Sequence, residues 1–178
     1  MAAKPTPSPP LAGAETGRTS ASVDDSSPLG RWVGWTAFVL SLLAVADAIY
    51  LTVAHYTTTS VLMCPGNSVV NCAKVTTSSE STFLGMPVAV LGLVFYAVVA
   101  VVNWPGFWRS NPPWLRLARL ILIAGGMLFV LYLVYAEVVL IGNICIYCTI
   151  IHIITLILFG LTMYATAQTG LGLGDSVG

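Results

Sequence analysis

Four long apolar runs, separated by polar segments of very unequal length, organise this chain. They cover roughly residues 32–55, 84–104, 114–141 and 144–167. Each holds on the order of 20 residues or more, which at about 1.5 Å per residue crosses a hydrocarbon core of about 30 Å. None shows the period-two polarity of a barrel strand. In lipid each run has to close its own backbone hydrogen bonds, so each predicts a helix. The expected architecture is all-α and integral to the membrane: a four-transmembrane-helix bundle over residues 31–167.

The remaining segments differ in kind. Residues 1–30 are rich in Pro, Ser, Thr, Ala and Gly and lack apolar periodicity, which predicts a disordered tail. It does not read as a signal peptide, because the first apolar run is long enough to span. Residues 168–178 form a second, short tail. The polar stretch 56–83 predicts a long loop, and loops of that size are usually functional or disordered. The second and third runs are joined by WPGFWRSNPP, the third and fourth by little more than Gly142-Asn143. Pro87 falls in the first turn of the second run, where proline costs little. Gly85, Gly92, Gly125 and Gly126 read as close-packing positions.

Composition agrees with this pattern. Of 178 residues 57% are hydrophobic and only 8% charged, against about 25% charged in a soluble domain. Mean hydropathy is +0.88. The formal net charge of zero argues against a nucleic-acid binder, which needs a basic patch. Placement of the basic residues sets the orientation. Lys4, Arg18, Arg31, Arg109, Arg116 and Arg119 fall on one side of the predicted bundle, and Lys74 alone on the other. The first side is therefore expected to be cytoplasmic, with Arg119 snorkelling out from just inside its helix. Tryptophans 32, 35, 104, 108 and 114 share that side, as interface anchors. Both termini are then cytoplasmic, while the long loop and the Gly142-Asn143 turn are extracytoplasmic.

That topology puts Cys64, Cys72, Cys145 and Cys148 on one face, in a compartment where disulfides persist. Cys145-Ile146-Tyr147-Cys148 is a C-x-x-C at a helix start. Its spacing holds both sulfurs on one helical face, within reach of each other. The free N–H groups and positive dipole end there favour a thiolate, the attacking species in disulfide exchange. Cys64 and Cys72 flank a Pro65-Gly66 turn signal. A bridge between them would close a small, exposed ring of the easily reduced kind.

Two other readings stand beside a redox relay. One is a non-catalytic membrane protein, structural or a transporter subunit, stapled by two inert disulfides. A transporter usually shows internal repeats or broken helices, and neither is visible. The other is a zinc site, which the wide spacing of the first pair disfavours; no metal is expected. His152 continues the stripe of Cys145 and Cys148, where it can bond a quinone carbonyl, shuttle a proton or simply be satisfied inside the bundle. Asp47 is an intramembrane acid that fits a proton path or an internal hydrogen bond equally well. His55 and Glu137 read as interfacial, and Thr77 and Ser78 as solvated loop hydroxyls.

Taken in order, four elements resemble the vitamin K epoxide reductase family, in particular its prokaryotic homologues. They are the Asp-containing helix VADAIYLTVAHY, the loop pair CPGNSVVNC followed by Ser78, FLGMPVAVLGLVFYA opening the second helix, and CIYC followed by His152. The resemblance covers roughly residues 32–167. It implies a four-helix bundle around a quinone (menaquinone or ubiquinone), capped by the long loop, in a bacterial inner membrane. It also implies a relay in which a thioredoxin-like partner reduces the Cys64–Cys72 disulfide and Cys72 attacks Cys145. Cys148 is thereby freed to pass electrons to the quinone, and the net result is disulfide formation in exported proteins. Ser78 would position the loop. Many bacterial members carry a fused thioredoxin-like domain; the short tail here implies a separate, DsbA-like periplasmic partner. His152 stands where the vertebrate enzyme has a tyrosine. A DsbB-type oxidase also has four helices and reduces quinone, but it places its C-x-x-C in the first outer loop; here the order is reversed.

Overall fold

The computed structural model describes residues 28–57, 62–64, 66–110 and 112–169. In chain order its elements are α1 (Pro28–Tyr56), α2 (Cys72–Thr76), a 3-10 turn (Ser79–Ser81), β1 (Thr82–Phe83), β2 (Met86–Pro87), α3 (Val88–Val102), α4 (Pro105–Ser110), α5 (Pro113–Tyr135), a π-helical segment (Ala136–Ile141) and α6 (Ile146–Thr169). The predicted tails lie outside the described residues, except that α1 already begins at Pro28 and α6 runs to Thr169.

Among the described residues three stretches are helical, long and apolar enough to cross a membrane: Gly30–Tyr56, Pro113–Ile141 and Ile146–Gln168. The fourth, α3, is apolar but has only 15 residues. The run predicted as one helix over 84–104 is therefore shorter at both ends. At its start Leu84 and Gly85 both take positive φ, 51° and 80°. They form the tight turn of a hairpin in which Thr82 pairs with Pro87 and Phe83 with Met86. Left-handed central residues match the twist of a two-residue hairpin, and a residue before proline resists the helical region. Pro87 accordingly sits before α3, with φ −59° and ψ 131°, rather than in its first turn. At the far end Asn103 closes α3, and the WPGFWRSNPP linker folds into α4.

In lipid, helices associate through packing rather than through the hydrophobic effect, so small residues at contacts matter. Ala37, Ser41, Ala44 and Ala48 form such a stripe on α1, all buried. Ala37, Ala44 and Ala48 share a core cluster with Tyr96 and Val99 of α3, Ile123 of α5, and Ile154 and Leu158 of α6. The outward positions of the same helix, Val39, Leu42, Leu43, Ile49 and Val53, are exposed and apolar, which suits a lipid surroundings and not water.

At the end of the bundle away from the cysteines, Trp32, Trp35, Trp104 and Trp114 are exposed and Trp108 is buried. Trp108 packs against Gly34, where a Cβ would crowd its ring. The Arg119 guanidinium lies 4.2 Å above that ring, and its Nε donates to the Val102 carbonyl at 3.1 Å. Arg119 is 2% exposed, so it does not snorkel. The indole face and the helix-end carbonyl together replace the water it would have sought.

Candidate redox site

The four cysteines meet at one end of the bundle. Cys64 and Cys72 are joined in a disulfide, with Cα atoms 6.0 Å apart; Cys145 and Cys148 are free.

Backbone pairing brings the two pairs together. Val70 and Ile144 form a parallel β-bridge. Its bonds run from Asn71 N–H to the Ile144 carbonyl (3.1 Å) and from Ile144 N–H to the Val69 carbonyl (2.9 Å). Each bonded stretch leads directly into a cysteine: Asn71 into Cys72, Ile144 into Cys145. Both cysteines are fully buried, in one cluster with Leu51, Ala54, Leu62 and Val75. Asn71 also caps α2, its Oδ1 accepting from Lys74 N–H at 3.0 Å, which fixes the backbone on which Cys72 opens the helix.

Asn143 ties this junction down. Its Nδ2 donates to the Ser68 carbonyl at 3.0 Å, its Oδ1 accepts from Lys74 Nζ at 2.5 Å, and its backbone N–H donates to the Glu137 carbonyl at 3.1 Å. One buried amide thus holds the loop, α2 and the end of the π segment. Gly142, with φ 67°, supplies the left-handed turn that closes that segment, its N–H also reaching the Glu137 carbonyl.

Cys145 sits immediately before α6, and its Sγ accepts the Cys148 N–H at 3.4 Å, the place a capping oxygen takes in other helices. Hydrogen bonding from the Cys148 thiol, helped by the backbone N–H groups of Cys148 and Tyr147, holds the Cys145 thiol below the usual range, against the opposing effect of burial.

Behind Cys148 lies a cavity of about 610 Å³ between α1, α3, α5 and α6. Its walls are largely apolar, with Phe95, Phe129 and Leu133 among them, and its polar lining includes Cys148, His152 and Glu137. Cys148 is the only cysteine among the lining residues. Ser78 and Thr76 line the cavity from the loop side; Ser78 Oγ donates to the Val75 carbonyl (2.8 Å), and the Ser78 carbonyl accepts from Ser81 Oγ (2.7 Å). Tyr96 also lines it, but its hydroxyl is committed. Thr155 Oγ1 donates to the Ile151 carbonyl at 2.8 Å, so in the 2.5 Å contact between the two hydroxyls Tyr96 is the donor.

The residues singled out from sequence divide accordingly. The four cysteines converge, and His152 and Ser78 join Cys148 around the cavity. Asp47 is outside the lining, on α1, with a buried Oδ2 that has no hydrogen-bond partner among the described residues. His55, read as interfacial, lines the cavity. Glu137, also read as interfacial, is buried and lines the cavity together with Cys148. Its position was visible in the spacing: Leu115, Arg119, Ile123, Val130 and Glu137 step along one face of the third run and are all buried. Asn143 carried no such signal, because its partners lie about seventy residues away.

A bundle of membrane-length helices, with a disulfide and a C-x-x-C dithiol meeting beside an apolar cavity, defines a membrane thiol–disulfide oxidoreductase. The chain belongs to the Vitamin K epoxide reductase family, whose model matches residues 35–163. That family in general uses quinone as electron carrier and works with thioredoxin-like partners. No curated protein matches the chain closely enough to be named.

Proposed function

We propose that this protein is a quinone-coupled thiol oxidase that supports disulfide formation in exported proteins. The observation that carries the reading is the division of labour between Cys145 and Cys148. Cys145 is buried in the cluster that contains Cys72, whereas Cys148 lines the apolar cavity.

Electrons enter from a separate thioredoxin-like protein at Cys64, which is less buried than Cys72 and lies beside the largely exposed Met63. Reduction of the Cys64–Cys72 disulfide frees Cys72, which attacks Cys145 of an oxidised Cys145–Cys148 pair and releases the Cys148 thiolate. Return of Cys64 onto Cys72 leaves the outer pair oxidised and the inner pair reduced. The inner dithiol then re-forms its disulfide. Cys145, held toward its thiolate, joins the Cys148 sulfur only as an electron acceptor in the cavity takes up the two electrons that the new bond releases.

A quinone fits the residues present. The cavity is within the size range of small-molecule sites and its walls are apolar. His152, Glu137 and the Cys148 thiol offer polar contacts to a carbonyl oxygen, while Phe95 and Phe129 flank a flat ring. When bound, the quinone accepts two electrons and two protons. Ser78 holds the loop segment that lines the cavity, and Asp47 contributes a proton route along α1.

In this reading α3 is the fourth crossing. Its 15 residues cover about 22 Å at about 1.5 Å per residue, and local thinning or the flanking hairpin and Trp104 make up the difference. The basic residues favour extracytoplasmic cysteines and cytoplasmic termini, and the family resemblance favours a bacterial inner membrane.

The deciding experiment gives purified protein a reduced thioredoxin-like partner and a menaquinone or ubiquinone analogue, with Cys148→Ala alongside. Turnover in the wild type that vanishes in the variant is expected. Absence of turnover in folded wild type with several quinones and partners would return the chain to the stapled, non-catalytic class.

A further inference from the structure

Glu137 is an acid near the cysteine end of a membrane-length apolar stretch, Pro113–Ile141. It is 6% exposed, and among the described residues it has no cationic partner. Burying an ionisable group without a counter-ion costs several kcal/mol in a protein interior, and such residues in spanning segments are kept for work. Three independent features say what the work is. The carboxyl group is close enough to the Cys148 thiol for the two to interact. It lines the same cavity as Cys148 and His152. And Glu137 stands at the start of the π-helical segment, an uncommon geometry that tends to occur at functional sites. The segment is closed by Gly142 and Asn143, whose N–H groups both reach the Glu137 carbonyl. Glu137 is thereby held at its own backbone by the turn that leads into the C-x-x-C.

We propose that Glu137 is a catalytic residue, the base that takes the Cys148 thiol proton as the inner pair is oxidised and delivers it into the cavity. The inference deepens the quinone reading and rests on it. Overall, two S–H bonds break, one S–S bond forms between Cys145 and Cys148, and two electrons pass to the quinone, which also takes up two protons to become the quinol. One proton travels from Cys148 Sγ to a Glu137 carboxylate oxygen and on to the nearer quinone oxygen, so Glu137 ends the cycle as it began. The other is lost by Cys145 as it becomes the thiolate, and an equivalent proton is taken up from solvent by the second oxygen. On its own helix the nearest ionisable acceptor, His152, is one turn further along α6, and the Cys145 sulfur, which the Cys148 thiol also reaches, becomes bonded to Cys148 and so cannot carry the proton away.

The test uses the full chain in detergent or nanodiscs, with the inner pair pre-reduced and a soluble quinone analogue added in a single turnover. Wild type, Glu137→Gln and Glu137→Asp are compared. Gln keeps the volume and a hydrogen-bonding group but cannot accept the proton. The expected result is a loss of about a hundredfold or more in the Gln variant, with partial recovery in Asp. Maleimide labelling of Cys148 in the same samples should be undiminished or faster in Gln, because removing a neighbouring negative charge favours the thiolate. A merely structural Glu137 would slow labelling and turnover together, and that result overturns the proposal. So does a Gln variant that keeps the wild-type single-turnover rate. If wild type itself transfers no electrons to any quinone, the quinone reading fails first and this inference with it.

Discussion

Val70 and Ile144 pair in parallel, and through this single bridge the segment carrying Cys72 lies against the segment carrying Cys145. Thiol–disulfide exchange needs the attacking sulfur in line with the bond it breaks, so a backbone contact that joins the two segments does more for the relay than any side chain could. The first prediction follows from it. Removing Cys64 leaves Cys72 without its usual partner, so Cys64→Ala should accumulate a Cys72–Cys145 bridge. Mass spectrometry of peptides from acid-quenched, non-reduced protein detects it. Recovery of only Cys64–Cys72 and Cys145–Cys148 bridges in wild type under every redox condition would instead mean that the pairs never exchange.

Asn143 fastens that junction with an amide that serves Ser68 and Lys74 at once. Asn143→Ala removes the side-chain bonds to the Ser68 carbonyl and to Lys74, at about 0.5–1.5 kcal/mol for a typical hydrogen bond. Thermal unfolding should shift down accordingly. Exchange between Cys72 and Cys145 should slow further than Lys74→Ala slows it, since Lys74 contributes only one of the contacts. Equal effects of the two variants would show that the lysine, not the amide, organises the turn.

The Cys145 thiol is held low chiefly by the Cys148 thiol. A lowered thiol pKa means that the thiolate persists to lower pH than in an ordinary cysteine and is lost only as pH falls through that lowered value. Cys148→Ala removes the largest cause, so the Cys145 titration should move up toward the ordinary thiol range. The ultraviolet absorbance of the thiolate followed against pH, in a background lacking Cys64 and Cys72, measures it; an unmoved titration would assign the effect to the backbone N–H groups alone.

Gly126 marks where the cavity wall is tightest. A Cβ there would collide with the ring of Phe95, which lines the cavity. The far end of a phenylalanine can swing, so Gly126→Ala should shrink the site more than it destabilises the fold. A severalfold rise in KM for the quinone analogue with little change in melting temperature is expected. Gly160→Ala on α6 meets no atom within 4 Å and is the control. A fall in kcat at unchanged KM would place Phe95 outside the binding surface.

Arg119 holds the opposite end of the bundle over Trp108. Arg119→Met should cost about 2 kcal/mol or more, as a desolvated cation–π contact is lost along with a charged hydrogen bond. Labelling of the cysteines should be unchanged, because the cluster is at the far end of the helices.

Much of this was legible beforehand where the information is local. The three longest spans came from run length alone, and the convergence of the cysteines came from counting crossings between Cys64, Cys72, Cys145 and Cys148. The start of α3 was misjudged because apolar Leu84 and Met86 extend the run, while the hairpin depends on positive φ at Leu84 and Gly85, which hydropathy does not encode. Arg119 was given to solvent because a lone arginine near a helix end usually snorkels, and only the fold brings Trp108 over it. Glu137 and Asn143 were underrated for two different reasons. The acid lay on a buried stripe that could have been followed to its end. The amide acts entirely through contacts distant in sequence, and nothing around it announces them.

The π-helical segment also bears on how this chain is compared with its kin. Six residues that make i to i+5 bonds amount to an α-helix with one residue too many. Deleting a single residue among Val138, Val139 and Leu140 would restore ordinary α winding and rotate everything beyond it by about 100° relative to Glu137. The C-x-x-C would then be presented to a different quarter of the bundle. Homologous chains should therefore vary in length almost anywhere sooner than here, and an alignment that opens a gap between Ala136 and Ile141 marks a protein whose dithiol is phased differently.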